Sequence, residues 1–101
     1  MIRETAELTI DPARETAFLA AAAPAVPIFR AAAGCRAMQI ERVIEPPGLY
    51  RLQVLWDTLE HHTVTFRGSQ GFADWRALVG PYFIVPPRVD HAEVAVPGFG
   101  G

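Results

Sequence analysis

Only one cysteine, Cys35, occurs among the 101 residues. No disulfide can close within the chain, and between Gly34 and Arg36 the lone thiol reads as a small apolar residue. Positive charge is sparse too: nine basic against eleven acidic side chains give a formal net charge of -2 and a sequence pI near 5.8. Without a basic cluster to neutralise phosphates, nucleic acid is not the expected partner. Long apolar runs are missing as well. The longest, 17–28, is broken by Pro24 and Pro27 and is too short to span a bilayer. The opening residues Met1 to Thr5 bring charge at once and lack the apolar centre of a signal peptide. These features predict a soluble, cytoplasmic protein with no membrane contact.

The rest is ordinary for a globular chain: half hydrophobic and a fifth charged. There is room for one domain, read as residues 1–96 with a frayed tail at 97–101. A core this small gains from a partner subunit.

Residues 2–10 alternate as a strand does, with Ile2, Glu4, Ala6, Leu8 and Ile10 on one face. Glu4 is the exception on an otherwise apolar side. Asp11-Pro12 suits a helix start, the carboxylate accepting orphan N–H groups and Pro filling the first position. The Ala-rich segment 12–33 repeats Phe18, Ala22, Val26 and Phe29 at helical spacing; Pro24 and Pro27 predict a break after about Ala22. Gly34 is a natural stop. Residues 35–45 alternate again, with Arg36, Met38 and Ile40 opposite Cys35, Ala37 and Gln39. Pro46-Pro47-Gly48 turns the chain into a second strand, Leu49–Trp56, so the two form a hairpin in which Tyr50, Leu52, Val54 and Trp56 share a face.

Asp57-Thr58-Leu59-Glu60 has the pattern of a helix N-terminus. His62 and Phe66, four apart, lie on one side of that helical segment. After Gly68, Ser69 caps a second piece in which Phe72, Trp75, Arg76 and Val79 recur to Gly80. Beyond the loop 81–87, residues 88–96 predict a last strand, with Ala92, Val94 and Val96 on one face and Val89, His91, Glu93 and Ala95 on the polar one. The order βαββαβ is the split βαβ arrangement of ferredoxin-like α+β domains, with a four-stranded antiparallel sheet. The strand faces away from the helices carry Arg3, Glu7, Gln39, Glu41, Arg51, Gln53, His91 and Glu93. Such a mixed-sign face suits either water or its own copy across a two-fold axis.

The run W-D-T-L-E-H-H-T-V-T-F-R-G-S-Q-G-F-A-D-W-R, from Trp56 to Arg76, resembles a segment of antibiotic biosynthesis monooxygenase domains. There a strand ends in Trp, an acidic residue comes next, a His or Tyr six on, then an aromatic and S-x-x-F. Chain length and element order agree. The resemblance implies a homodimeric α+β barrel with two sheets face to face, and His91 among the dimer contacts. It implies an oxygenase needing neither metal nor organic cofactor, in which an electron-rich phenol reduces O₂ and becomes a quinone. By the same resemblance Trp56, His62 and Arg76 are the catalytic candidates, His62 standing where quinone-forming members have Tyr. Leu52 stands where those members have Asn, so one hydrogen-bonding group is lost. Haem-degrading members carry a Trp and a His ligand near the places of Thr65 and Arg76, neither of which could do that work.

Trp56, Phe66, Phe72, Trp75 and Phe83 supply apolar wall for such a pocket, with Leu52 beside them and Tyr82 and Phe83 able to close its mouth. Each also suits ordinary packing, and Arg76 equally suits a surface ion pair. His61 and His62 would point about 100° apart on a helix and lack a third ligand in register, so no metal is expected. Three functions are compatible with these residues: a monooxygenase acting on a small phenolic or quinol compound, a non-catalytic small-molecule-binding dimer, or a non-oxidative isomerase or lyase on the same fold. An RNA-recognition domain of like topology is rejected, because Arg51 and Gln53 do not supply the exposed aromatics it needs.

Overall fold

The computed structural model describes residues 1–100. Strand β1 (Ile2–Thr9) buries Glu4, Ala6 and Leu8 and turns Arg3, Thr5, Glu7 and Thr9 outward. The Asp11 carboxylate accepts the Ala13 N–H at 2.9 Å, but the turn it caps, Pro12–Arg14, is a 3₁₀ one; helix α1 (Glu15–Ala22) comes after it. The chain breaks at Pro24 and resumes as α2 (Ala25–Ala31). Pro27 sits in the first turn of α2, where its missing N–H would have had no partner.

The buried stripe of these helices is Phe18, Ala22, Ala25 and Phe29, not the set containing Val26, which is exposed. Steps of four, three and four hold side chains within a narrow sector, whereas Val26 falls about 80° off the line of Phe18.

Strand β2 (Cys35–Arg42) pairs antiparallel with β3 (Leu49–Trp56), and β3 with β1. The expected alternation in β2 fails at its start. Cys35 lies opposite Trp56 and Ala37 opposite Leu55, so Arg36 is an extra, bulged residue. The bulge puts Cys35 on the core side with Met38 and Ile40 and frees Arg36 for a bidentate pair with Asp57, at 2.6 and 2.9 Å. At the turn into β3, Gly48 (φ +85°) accepts the Ile10 N–H at 2.8 Å; a Cβ there would stand 2.5 Å from the Ile10 carbonyl oxygen.

After β3 the chain forms a π-helical segment, His61–Phe66, in which the Arg67 N–H bonds the His62 carbonyl at 3.2 Å. Ser69 caps α3 (Gln70–Val79) through the Phe72 N–H. Strand β4 (Arg88–Ala92) closes the sheet in the order β2-β3-β1-β4, all antiparallel, giving the ferredoxin-like α+β layout. It stops at Ala92 rather than reaching residue 96. Its faces are also the reverse of the expected ones. Val89 pairs with Ala6 and His91 with Glu4, so both look toward the helices, while Arg88, Asp90 and Ala92 look outward.

The helices cover one face of the sheet. Tyr50, Leu52, Val54 and Trp56 pack against Phe18, Phe29, Phe66 and Trp75, with the rings of Phe18 and Tyr50 5.0 Å apart and those of Phe29 and Phe66 likewise. The uncovered face carries a row of alternating sign, Arg88–Glu7–Arg51–Glu41, across all four strands. Beside it Thr5 donates to Gln53 at 2.6 Å, and Gln53 and Gln39 both donate to Glu41. No helix among the described residues is long and apolar enough to cross a membrane.

Candidate functional site

Between the helix side of the sheet and α3 lies a cavity of about 450 Å³, a size typical of small-molecule sites. Strands β1 and β3 floor it with Glu4, Ala6, Leu8 and Leu52. His62, Arg67, Phe72, Trp75 and Arg76 come from the helical side, and Phe83, Pro86, Pro87 and Val89 from the last loop and β4.

The residues proposed from sequence divide. Leu52, His62, Phe72, Trp75, Arg76 and Phe83 line this cavity. Trp56 does not: it is fully buried behind the wall, its ring stacked on His62 with centroids 5.5 Å apart. Phe66 packs against Phe29 and Trp56 and faces another hollow, beside Ile28 and Gly71. Tyr82 turns away, lying under the Arg14 guanidinium at 4.4 Å and edge-on to Phe18. Tyr82 and Phe83 are consecutive at the end of a 3₁₀ turn, Gly80–Tyr82, so their side chains diverge; Phe83 bridges to Ile10 and takes the cavity side.

The charged residue that broke the apolar face of β1 proves central. The Glu4 carboxylate is buried, and its Oε1 accepts the indole N–H of Trp56 at 3.0 Å. His62 Nε2 stands 3.3 Å from the same oxygen, and on the other side of that ring Nδ1 is hydrogen-bonded to His91 Nε2 at 2.7 Å. Glu4, His62 and His91 thus form a row from the cavity floor to the edge strand. His91 belongs to this row and not to the outward face expected for it from the alternation of β4. An ionised Glu4 favours the His62 tautomer with its proton on Nε2, leaving Nδ1 to accept from His91.

Burial pushes the Glu4 carboxyl above the ordinary carboxylate range, opposed by the Trp56 bond and the Arg67 charge. The same burial, with Arg67 and His91, lowers His62 to about 4. His91 is lowered too, by burial and Arg67, with Asp90 opposing. Near neutral pH both imidazoles are therefore uncharged, and the carboxyl is more basic than an exposed one. Such a group can take a proton from a bound hydroxyl.

Cys35 is no nucleophile candidate, since burial raises its thiol pKa. Among the described residues no three His, Cys, Asp or Glu side chains gather to hold a metal ion.

Three members of the site escape a reading of the sequence, each for its own reason. A carboxylate on an apolar strand face was the signal that marked Glu4. Arg67 carried no signal, because the π-helical register is not visible in residue spacing. His91 needed the correct face of β4.

Residues 1–78 match the family model of the antibiotic biosynthesis monooxygenases. The uncharacterized Bacillus subtilis protein YczJ is 36% identical over 93 residues, covering 92% of this chain and 98% of its own. A Bordetella bronchiseptica structure, assigned by name to the antibiotic biosynthesis monooxygenases, superimposes with a TM-score of 0.89 at 42% identity over 94% of this chain and 97% of its own. A Caulobacter crescentus structure assigned to the same group shares the fold, with a TM-score of 0.80 at 20% identity over 94% and 90% of the two chains. The chain belongs to the antibiotic biosynthesis monooxygenase family.

Proposed function

We propose that this chain is a cytoplasmic, cofactor-independent monooxygenase that oxidises a small phenolic or quinol compound with O₂ in the cavity between sheet and helices. The observation that carries this reading is the row Glu4–His62–His91 opening on a cavity whose remaining lining is apolar apart from Arg67 and Arg76. Glu4 takes the substrate hydroxyl proton, its basicity raised by burial, while His62 holds the carboxylate in place. Arg76 steadies the phenolate that results. Trp56 does not touch the substrate; it acts through Glu4 as a positioning residue. The substrate supplies the electrons. A ring carbon bearing two hydrogens in the keto tautomer takes one oxygen atom as a carbonyl, and both hydrogens leave with the other oxygen as water.

A second reading, non-catalytic binding of the same class of molecule, is favoured by one feature. Leu52 is buried in the cavity floor and offers no hydrogen bond. A non-oxidative isomerase or lyase would use the same base without O₂. Oxygen uptake by purified, metal-stripped protein against a panel of anthrones and naphthols separates these readings. Uptake with quinone formation is expected; binding without uptake would sink the oxygenase.

The working unit in this proposal is a homodimer, formed through the uncovered sheet face. The alternating row Arg88–Glu7–Arg51–Glu41 can meet its own copy with opposite charges in register.

A further inference from the structure

The chain as a whole is acidic, yet the cavity wall is not. Its charged side chains are Glu4, Arg67 and Arg76, one carboxylate against two guanidiniums. Glu4 makes no direct ion pair with either arginine; its Oε1 contacts Trp56 and His62 instead. Among the described residues no carboxylate lies within 4.0 Å of Arg67 or Arg76. Arg67 lines the cavity together with Glu4 and His62, and its charge lowers the pKa of Glu4, His62 and His91 alike. The Arg76 guanidinium stands 5.9 Å from the ring centre of Phe72, on the same wall.

The rest of the lining is largely apolar: Leu8 and Leu52 from the sheet, Trp75 from α3, and Pro87 and Val89 from the last loop and β4. A neutral molecule filling this space would leave both guanidiniums, which are exposed where they line it, without a counter-charge. A cation would add to the excess of positive charge. A flat apolar body with one carboxylate satisfies both ends, because the planar guanidinium fork matches a carboxylate bidentately.

We propose that the cavity takes an aromatic acid, a fused-ring phenol whose carboxylate is held by Arg67 together with Arg76. Arg67 is the specificity-determining residue. The hydroxyl in this substrate class rests on the oxygenase reading; the carboxylate rests on the arginines alone.

The test is anaerobic titration of the full chain, monitored by tryptophan fluorescence, with 1-naphthol and 1-hydroxy-2-naphthoate as a matched neutral and acidic pair. The acid should bind at least about tenfold more tightly at low salt, with the gap closing as salt is raised. Arg67→Gln should remove most of the acid's advantage while leaving naphthol within about twofold; Arg67→Lys should restore part of the gap. Equal affinities in the unmodified protein overturn the proposal, as does a preference that survives in the Arg67→Gln/Arg76→Gln double variant. Admitting air separates the two readings. An acid that binds tightly without oxygen uptake keeps the anion site and removes the oxygenase, whereas naphthol oxidation without acid preference does the reverse.

Discussion

His62 Nδ1 lies 2.7 Å from His91 Nε2, so an imidazole from the helical segment after β3 is tied to one on the edge strand of the sheet. The bond needs at least one of the two rings neutral, and acid therefore works against it. His62 falls from 6.5 to about 4 on folding, so the unfolded chain binds the extra proton between those pH values. Stability is lost as pH falls through that window and regained as it rises. His91, also lowered, adds to the slope; Glu4, raised by burial, opposes it. We expect the melting temperature to drop from pH 6.5 to pH 4, and less steeply in His62→Gln. Equal slopes in the two proteins would show that His62 does not titrate with folding.

Trp56→Phe should be more than a core change. Phe keeps an aromatic ring but has no N–H for Glu4, which leaves a buried carboxylate short of one donor. A cost of about 1–3 kcal/mol is expected in chemical denaturation. Since the indole bond lowers the Glu4 pKa, losing it should also move the carboxyl titration further up, as read by ¹³C NMR of the side-chain carboxyl. An unmoved titration would separate Trp56 from the row.

Gly48→Ala combines two penalties. The backbone there has φ +85°, and the new Cβ would press on the Ile10 carbonyl, which is main chain and cannot rotate aside. We expect a loss of about 1–3 kcal/mol. A melting temperature unchanged from that of the parent would mean that the β2–β3 turn adapts at no cost.

Light scattering on a sizing column should give twice the 11.1 kDa chain mass. Arg51→Glu turns the row on the open sheet face into one positive and three negative charges, and should shift the protein toward monomer at low salt. A parent that elutes as a clean monomer would refute the sheet-to-sheet dimer.

Much of the fold was legible because alternation and helical spacing are local. β1 and β3 read correctly from their apolar faces, and the helix break from Pro24. Where geometry departs from the regular repeat, the reading failed: one bulged residue at Arg36 moved Cys35 across the sheet, and Val89 and His91 were assigned to the wrong side of β4. On the site, the family resemblance brought Leu52, His62 and Arg76 to attention, and apolar residue types Phe72, Trp75 and Phe83, all of which line the cavity; Trp56, Phe66 and Tyr82, named in the same way, do not. Glu4 went unrecognised although its signal was visible, since a charge on a buried strand face needs a partner, and that partner lay 52 residues away.

The wide turn at His61–Phe66 has an effect on charge as well as on shape. In an α-helix five steps of about 100° would carry Arg67 roughly 140° past His62, away from the cavity. Closing the turn by a bond from Arg67 back to His62 returns the two side chains to the same side. The cavity's excess of positive charge is thus a product of hydrogen-bond register: wind the same residues as an α-turn and Arg67 moves about 140° round the axis from His62, with every amino acid of the wall unchanged.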